Sequence, residues 1–183
     1  EHDAWRGYCG HLARQVGKNG PSVEVIRSSL LFDPPAIDPE ECVILAGNLA
    51  EAAPSSLEAL FCQALAQYRT RQYVEVPKTT EVLGPRLPCV YLCALATQGD
   101  GRKEEAEAEL QRAEELCADT CKEELGRDRT EFAPVSWLYR DLAVAQVLRQ
   151  EAWQKIKGEA APSQFWWHLI QGRGYSLLGE SKR

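Results

Sequence analysis

Methionine is absent from this 183-residue chain, position 1 included, so the chain is expected to be a processed protein or a piece excised from a longer one. Apolar runs are short. None approaches the ~20 residues a bilayer-crossing helix needs, and the amino terminus lacks the basic stretch and apolar core of a secretory signal. Positive charge is scarce, with 21 basic against 27 acidic residues and a net charge of -6. Nucleic acids and anionic membranes both demand a concentrated positive field, so neither is the expected partner. The phosphate loop G-x-x-x-x-G-K-[ST] is missing, because Gly17-Lys18-Asn19-Gly20 holds its residue types in the wrong arrangement. Kinase catalytic and magnesium motifs are missing too, and Gly172-Arg173-Gly174 reads as a flexible turn. The residues present thus argue against phosphoryl chemistry.

Hydrophobic residues make up 44% and charged residues 26% of the chain, the balance of a soluble globule with its own core. The length fits one domain or one short solenoid. Seven cysteines, at 9, 42, 62, 89, 93, 117 and 121, are odd in number and scattered. In a chain large enough to build a core they do not read as a disulfide framework. They are expected to be reduced, mostly packed as small hydrophobes, in a cytoplasmic protein. Cys89 and Cys93 are four apart, as are Cys117 and Cys121. Four thiolates suit tetrahedral zinc or an iron–sulfur cluster, which makes a cysteine-based metal sensor or small enzyme the alternative reading. Structural zinc sites usually put two residues between paired cysteines on a turn; here there are three, on helices. Core packing is therefore preferred, with no metal and no cofactor. Only His2, His11 and His168 could serve a cysteine nucleophile as base, and no motif sets one beside a thiol.

Helical periodicity runs through the chain, and no stretch alternates long enough for a strand. Asp3 caps a first helix to about Val16, carrying Trp5, Tyr8, Cys9, Leu12 and Val16 on one side. Ser22 opens a second, to Leu31. Asp38-Pro39-Glu40-Glu41 starts a third, with a capping residue, proline at the first position and acids in the first turn. Ser55 or Ser56 caps a fourth, Leu57 to Thr70; a fifth runs from Gln72 to Gly84, and a sixth from Leu87-Pro88 to Thr97. The seventh spans Arg102 to about Cys117 and, after a break, continues to Leu125. Pro134 begins a long last helix with Val135, Leu138, Leu142, Ala145, Leu148, Ala152 and Ile156 on one side. Residues 159–183 read as an aromatic anchor, Phe165-Trp166-Trp167, and a loose tail. The acids between Glu104 and Glu124 read as the wet face of a helix whose dry face holds Leu110, Ala113 and Leu116.

The fourth to seventh helices form one unit written twice, at about 57–84 and 88–117. Ala64 precedes Val76 by twelve positions, and Ala94 precedes Ala106 by the same twelve. Antiparallel helices approach closely only where side chains are small, and a lone hairpin cannot bury its apolar stripe, so units stack. Leu60, Ala64, Tyr68, Tyr73 and Val76, then Val90, Ala94, Ala106, Leu110 and Ala113, resemble the tetratricopeptide repeat. Gly101-Arg102-Lys103-Glu104-Glu105-Ala106 is similar to that family's turn and second-helix start. The two units sit thirty positions apart rather than thirty-four, and Pro77 stands in the first turn of a second helix, where it is tolerated.

A narrower resemblance rests on Ala4-Trp5-Arg6-Gly7-Tyr8-Cys9, Leu45-Ala46-x-x-Leu49-Ala50, Leu65-Ala66-x-Tyr68-Arg69-x-x-x-Tyr73 and the run Ala145 to Ala152. These look like the carboxy-terminal helical region of planctomycete serine/threonine kinases. The resemblances together imply an all-α, tetratricopeptide-like solenoid over 1–158 that binds a protein or peptide and catalyses nothing itself. In such scaffolds the first helix of each hairpin lines a groove. Phe61, Leu65, Tyr68 and Arg69, with Tyr91, Leu95 and Gln98, are the expected partner-binding residues. The family's lysine-and-asparagine clamp for a terminal carboxylate does not appear there, so an apolar segment is the expected ligand.

Overall fold

A computed structural model describes residues 23–31, 35, 38–126 and 136–163. The helix expected over 3–16, the start at Pro134-Val135 and the Phe165-Trp166-Trp167 anchor lie outside these residues. The described chain is all-helical, with seven α-helices and no strand. They are α1 (Val23–Leu30), α2 (Pro39–Ala52), α3 (Leu57–Arg69), α4 (Glu75–Glu81), α5 (Leu87–Gly99), α6 (Lys103–Gly126) and α7 (Ser136–Ala152), the last followed by a wide π-turn, Trp153–Lys157.

Local chemistry sets most of the boundaries. At α2 the Asp38 carboxylate accepts from the Glu40 amide at 2.9 Å, with proline next in line. Ser56 Oγ accepts from the Ala59 amide at 3.3 Å and starts α3. Helix α4 is shorter than the expected 72–84. Arg71 takes a positive φ of 63° and residues 71–74 form a turn, while Pro77 confines the helix start. Gly84, at φ 72°, then turns the chain toward α5. Helix α6 has no break after Cys117. Ala106, Leu110, Ala113, Cys117 and Cys121 continue one buried stripe, and that stripe keeps the helix going through Asp119-Thr120.

Residue pairings give the directions of the helices. Thr79 Oγ1 donates to Gln67 Oε1 at 2.9 Å, Thr80 Oγ1 lies 3.0 Å from Cys93 Sγ, and Tyr91 Oη donates to Glu114 at 2.9 Å. Each pair straddles a turn, so α3–α4, α4–α5 and α5–α6 are antiparallel. Between α1 and α3 the register is constant instead. Cys62 Sγ donates to the Val23 carbonyl at 3.5 Å, and Arg69 Nε donates to the Leu30 carbonyl at 2.7 Å, both 39 positions apart, so these helices are parallel. Arg86 at the start of α5 meets Asp141 early in α7. Tyr68 and Arg69 at the end of α3 meet Glu151 at the end of α7. Helices α1, α3, α5 and α7 therefore run one way, and α4 and α6 run the other.

The hairpins close on small side chains. Ala64, Val76, Ala94 and Ala106 are all fully buried, at 0% exposure. A leucine at 94 adds three carbons to a filled space. Ala94→Leu is expected to cost about 1–3 kcal/mol, read as a lowered thermal midpoint, whereas Ala108→Leu on the exposed face of the next helix leaves the midpoint unchanged. Equal melting of the two variants would remove the close-packing account.

Candidate functional site

The seven residues expected to line a groove do lie together on α3 and α5, but they do not form an open face. Phe61, Leu65, Tyr68, Tyr91 and Leu95 are buried. The Arg69 side chain is 3% exposed. Gln98 is half-buried, with its Oε1 enclosed and without a donor. The furrow is occupied by the chain itself. Helix α7 lies parallel to α3 and α5 and touches both, while α1 packs along α3. The reason is visible in α7, where Leu142, Ala145, Leu148 and Ala152 make an apolar stripe, all at or below 2% exposure. An amphipathic helix must bury that stripe somewhere, and the groove is the apolar surface it meets. Phe61 and Val144 line one small crevice there.

Two buried polar nodes fix α7 in place. In the first, Glu151 accepts from Arg69 at 2.5 and 2.7 Å, from Tyr68 Oη at 2.8 Å, and pairs with Lys155 at 2.8 Å. Arg69 also donates to the Leu30 and Leu31 carbonyls at 2.7 and 3.1 Å, so it ties the end of α1 to α3 and α7. Arg69 and Lys155 both lie against the Tyr68 ring, at 5.0 and 5.4 Å from its centroid. Burial pushes the Glu151 carboxyl up, but Arg69 and Lys155 outweigh it and hold the group below its ordinary value. Burial, with the Glu151 charge added, raises the Tyr68 hydroxyl, so it stays protonated and donates.

In the second node, Glu114 of α6 accepts from Arg149 at 2.7 and 3.0 Å, from Tyr91 Oη at 2.9 Å and from Trp153 Nε1 at 3.1 Å. Arg149 is 2% exposed and also donates to the Pro162 carbonyl at 3.0 Å. Burial again works against the Glu114 carboxylate, and the donors from Arg149, Trp153 and Tyr91 prevail and lower its pKa. Glu114 is thus the exception to the wet-face reading of the acidic run. Its position next to the buried Ala113 places it at the edge of the dry stripe.

The cysteines do not assemble. Cys93 meets Thr80, whereas Cys117 is hydrogen-bonded to Cys121 and to Tyr91. Among the described residues no three His, Cys, Asp or Glu side chains are gathered where they could hold a metal ion. None of the described cysteines is in a disulfide. Burial pushes the thiols of Cys42, Cys62 and Cys89 up to about 12, which keeps them protonated and poor nucleophiles. Hydrogen bonding from Cys121 lowers Cys117, which is itself buried. All three histidines lie outside the described residues.

Sequence reasoning singled out Tyr68, Arg69 and Tyr91 and missed the residues of α6 and α7 that meet them. Glu114, Arg149, Glu151, Trp153 and Lys155 were not singled out. The available signal was Arg149 beside Leu148 on the apolar stripe of α7, a cation where a hydrophobe belongs unless a partner carboxylate is buried with it. No described helix is long and apolar enough to cross a membrane. No protein-family model matches this chain, and no curated protein and no solved structure is significantly similar to it.

Proposed function

We propose that this chain is a non-catalytic protein-interaction scaffold, a tetratricopeptide-like solenoid belonging to a larger signalling protein such as a serine/threonine kinase. The observation that carries the reading is the furrow of α3 and α5, which takes an amphipathic helix along its length. In this structure the occupant is α7. A partner helix with the same apolar stripe and a carboxylate at the position of Glu151 competes for the same surface, in the helix-in-groove mode. The small-residue contacts at Ala64, Val76, Ala94 and Ala106 support the tetratricopeptide comparison. Described cysteines that form no disulfide support a reducing, cytoplasmic setting.

The test uses the full chain and a fluorescent peptide of residues 136–157. Glu151→Lys sets a cation against Arg69 and loosens the internal α7, and Glu151→Gln does so more gently. Both variants should bind the peptide, by anisotropy, more tightly than the wild-type chain does. Adding Tyr68→Ala and Arg69→Ala should abolish that binding, with helicity by circular dichroism checked throughout. Failure of every variant to bind would remove the furrow as a helix-accepting surface, and with it the scaffold reading.

A further inference from the structure

Charged groups on three different helices face α7 where it lies in the furrow. Arg86, at the start of α5, donates to the Asp141 carboxylate, its Nε at 3.1 Å. Arg69, at the end of α3, holds Glu151, and Glu114 of α6 holds Arg149. The Arg69 and Glu114 side chains are largely enclosed, and that of Arg86 is partly exposed. The surroundings of α7 thus offer a cation, an anion and a second cation. The helix answers with an anion, a cation and an anion at Asp141, Arg149 and Glu151.

The spacing of these charges does more than add attraction. Asp141 and Glu151 are ten positions apart, about 15 Å along a helix, so together they fix which way the helix runs. At 3.6 residues per turn, Arg149 and Glu151 project about 160° apart, with Ala145, Leu148 and Ala152 of the apolar stripe between them. That pair fixes the rotation of the helix about its own axis. A helix that is reversed, or slipped by one turn, sets like charges together or leaves an enclosed charge alone, and both are costly inside a protein. A wholly apolar helix fares no better, because it covers the furrow but strands Arg69 and Glu114 without their counter-charges.

We infer that the furrow selects its partner by charge as well as by apolar area. The occupant is a helix parallel to α3 and α5 that carries an acid, a base eight residues later and a second acid two residues after that, around an apolar stripe. The inference rests on the reading of the chain as a scaffold that accepts a helix, and says which helix it accepts.

The receptor is the full chain carrying Glu151→Lys, or Glu151→Gln if circular dichroism shows the first to be unfolded. The probes are fluorescent 136–157 peptides: the wild-type sequence, Asp141→Lys, Arg149→Glu, Glu151→Lys, and one with norleucine at all three positions. By anisotropy the Asp141→Lys peptide should bind on the order of tenfold more weakly than the wild-type peptide. Arg149→Glu and Glu151→Lys, which meet the more enclosed groups, should each cost on the order of a hundredfold. The norleucine peptide is the most apolar of the set and should still bind on the order of tenfold more weakly than wild type. Adding Arg86→Glu to the receptor should reverse the first order, so that the Asp141→Lys peptide binds better than the wild-type peptide. Norleucine binding as tight as wild type overturns the inference, as does an unreversed order in a folded Arg86→Glu receptor. Either result leaves the scaffold reading standing, with a furrow that takes any apolar helix. The norleucine comparison decides alone if the Arg86→Glu receptor does not fold. Binding of no peptide by any folded receptor defeats the scaffold reading and this inference together.

Discussion

Replacing Arg69 with methionine is expected to lower the unfolding free energy by about 3–5 kcal/mol, the usual consequence of removing one partner from a buried ion pair. Methionine keeps much of the side-chain volume, so the loss reports the polar contacts more than a cavity. Those contacts join three helices. Without the guanidinium, Glu151 keeps Tyr68 and Lys155 but loses its two-pronged donor, and the Leu30 and Leu31 carbonyls at the end of α1 lose theirs. Orphaned helix-end carbonyls are costly when half-buried. Arg69→Lys restores the charge but not the planar fork that serves a carboxylate and two carbonyls together, so it should recover only part of the loss. Urea denaturation of the three proteins measures this. A loss under about 1 kcal/mol for the methionine variant, the range of exposed pairs, would mean that the node does not hold α7 and α1 on the furrow.

How much of this was legible in the sequence depends on whether the determinant was local. Asp38-Pro39 and Ser56 act within one helical turn, and the helix starts they announce are where the structure places them. The twelve-residue spacing of Ala64 to Val76 and of Ala94 to Ala106 also depends on one hairpin at a time, and all four side chains are buried. The break expected after Cys117 does not occur, because Cys121 continues a buried stripe that spans Asp119 and Thr120. The identity of the groove's occupant was not local at all. The apolar stripe on α7 says that the helix must be covered, and the apolar surface of α3 and α5 says the same of the furrow. Periodicity does not pair one with the other across more than eighty positions. Only the polar residues carried that information. Arg149 and Glu151 are charges that α7 turns into the protein, with side chains 2% and 12% exposed, and a helix that buries charge has its partners already determined.

The Glu114–Arg149 pair permits a sharper test of that last point. Arg149→Met should destabilise the chain by about 3–5 kcal/mol, since it takes the guanidinium from Glu114, whose donors Tyr91 and Trp153 are neutral, and removes the donor to the Pro162 carbonyl. Glu114→Leu alone should do comparable damage by leaving the guanidinium buried without its carboxylate. The double variant Glu114→Leu, Arg149→Met should recover a large share, because a buried pair replaced by hydrophobes escapes its desolvation cost, giving a coupling of about 1–3 kcal/mol in the cycle. The pH dependence carries the same signature with a definite sign. Glu114 and Glu151 are both held below the ordinary value of 4.5 in the folded protein, so their contribution is complete above that value and is lost as pH falls through the lowered ones. Wild-type stability should therefore drop between pH 5 and pH 3, and the double variant, lacking one of the two carboxylates, should drop less. If the two proteins lose stability in parallel over that interval, Glu114 does not stay ionised against α7 by virtue of Arg149, and the helix is held by its apolar stripe alone.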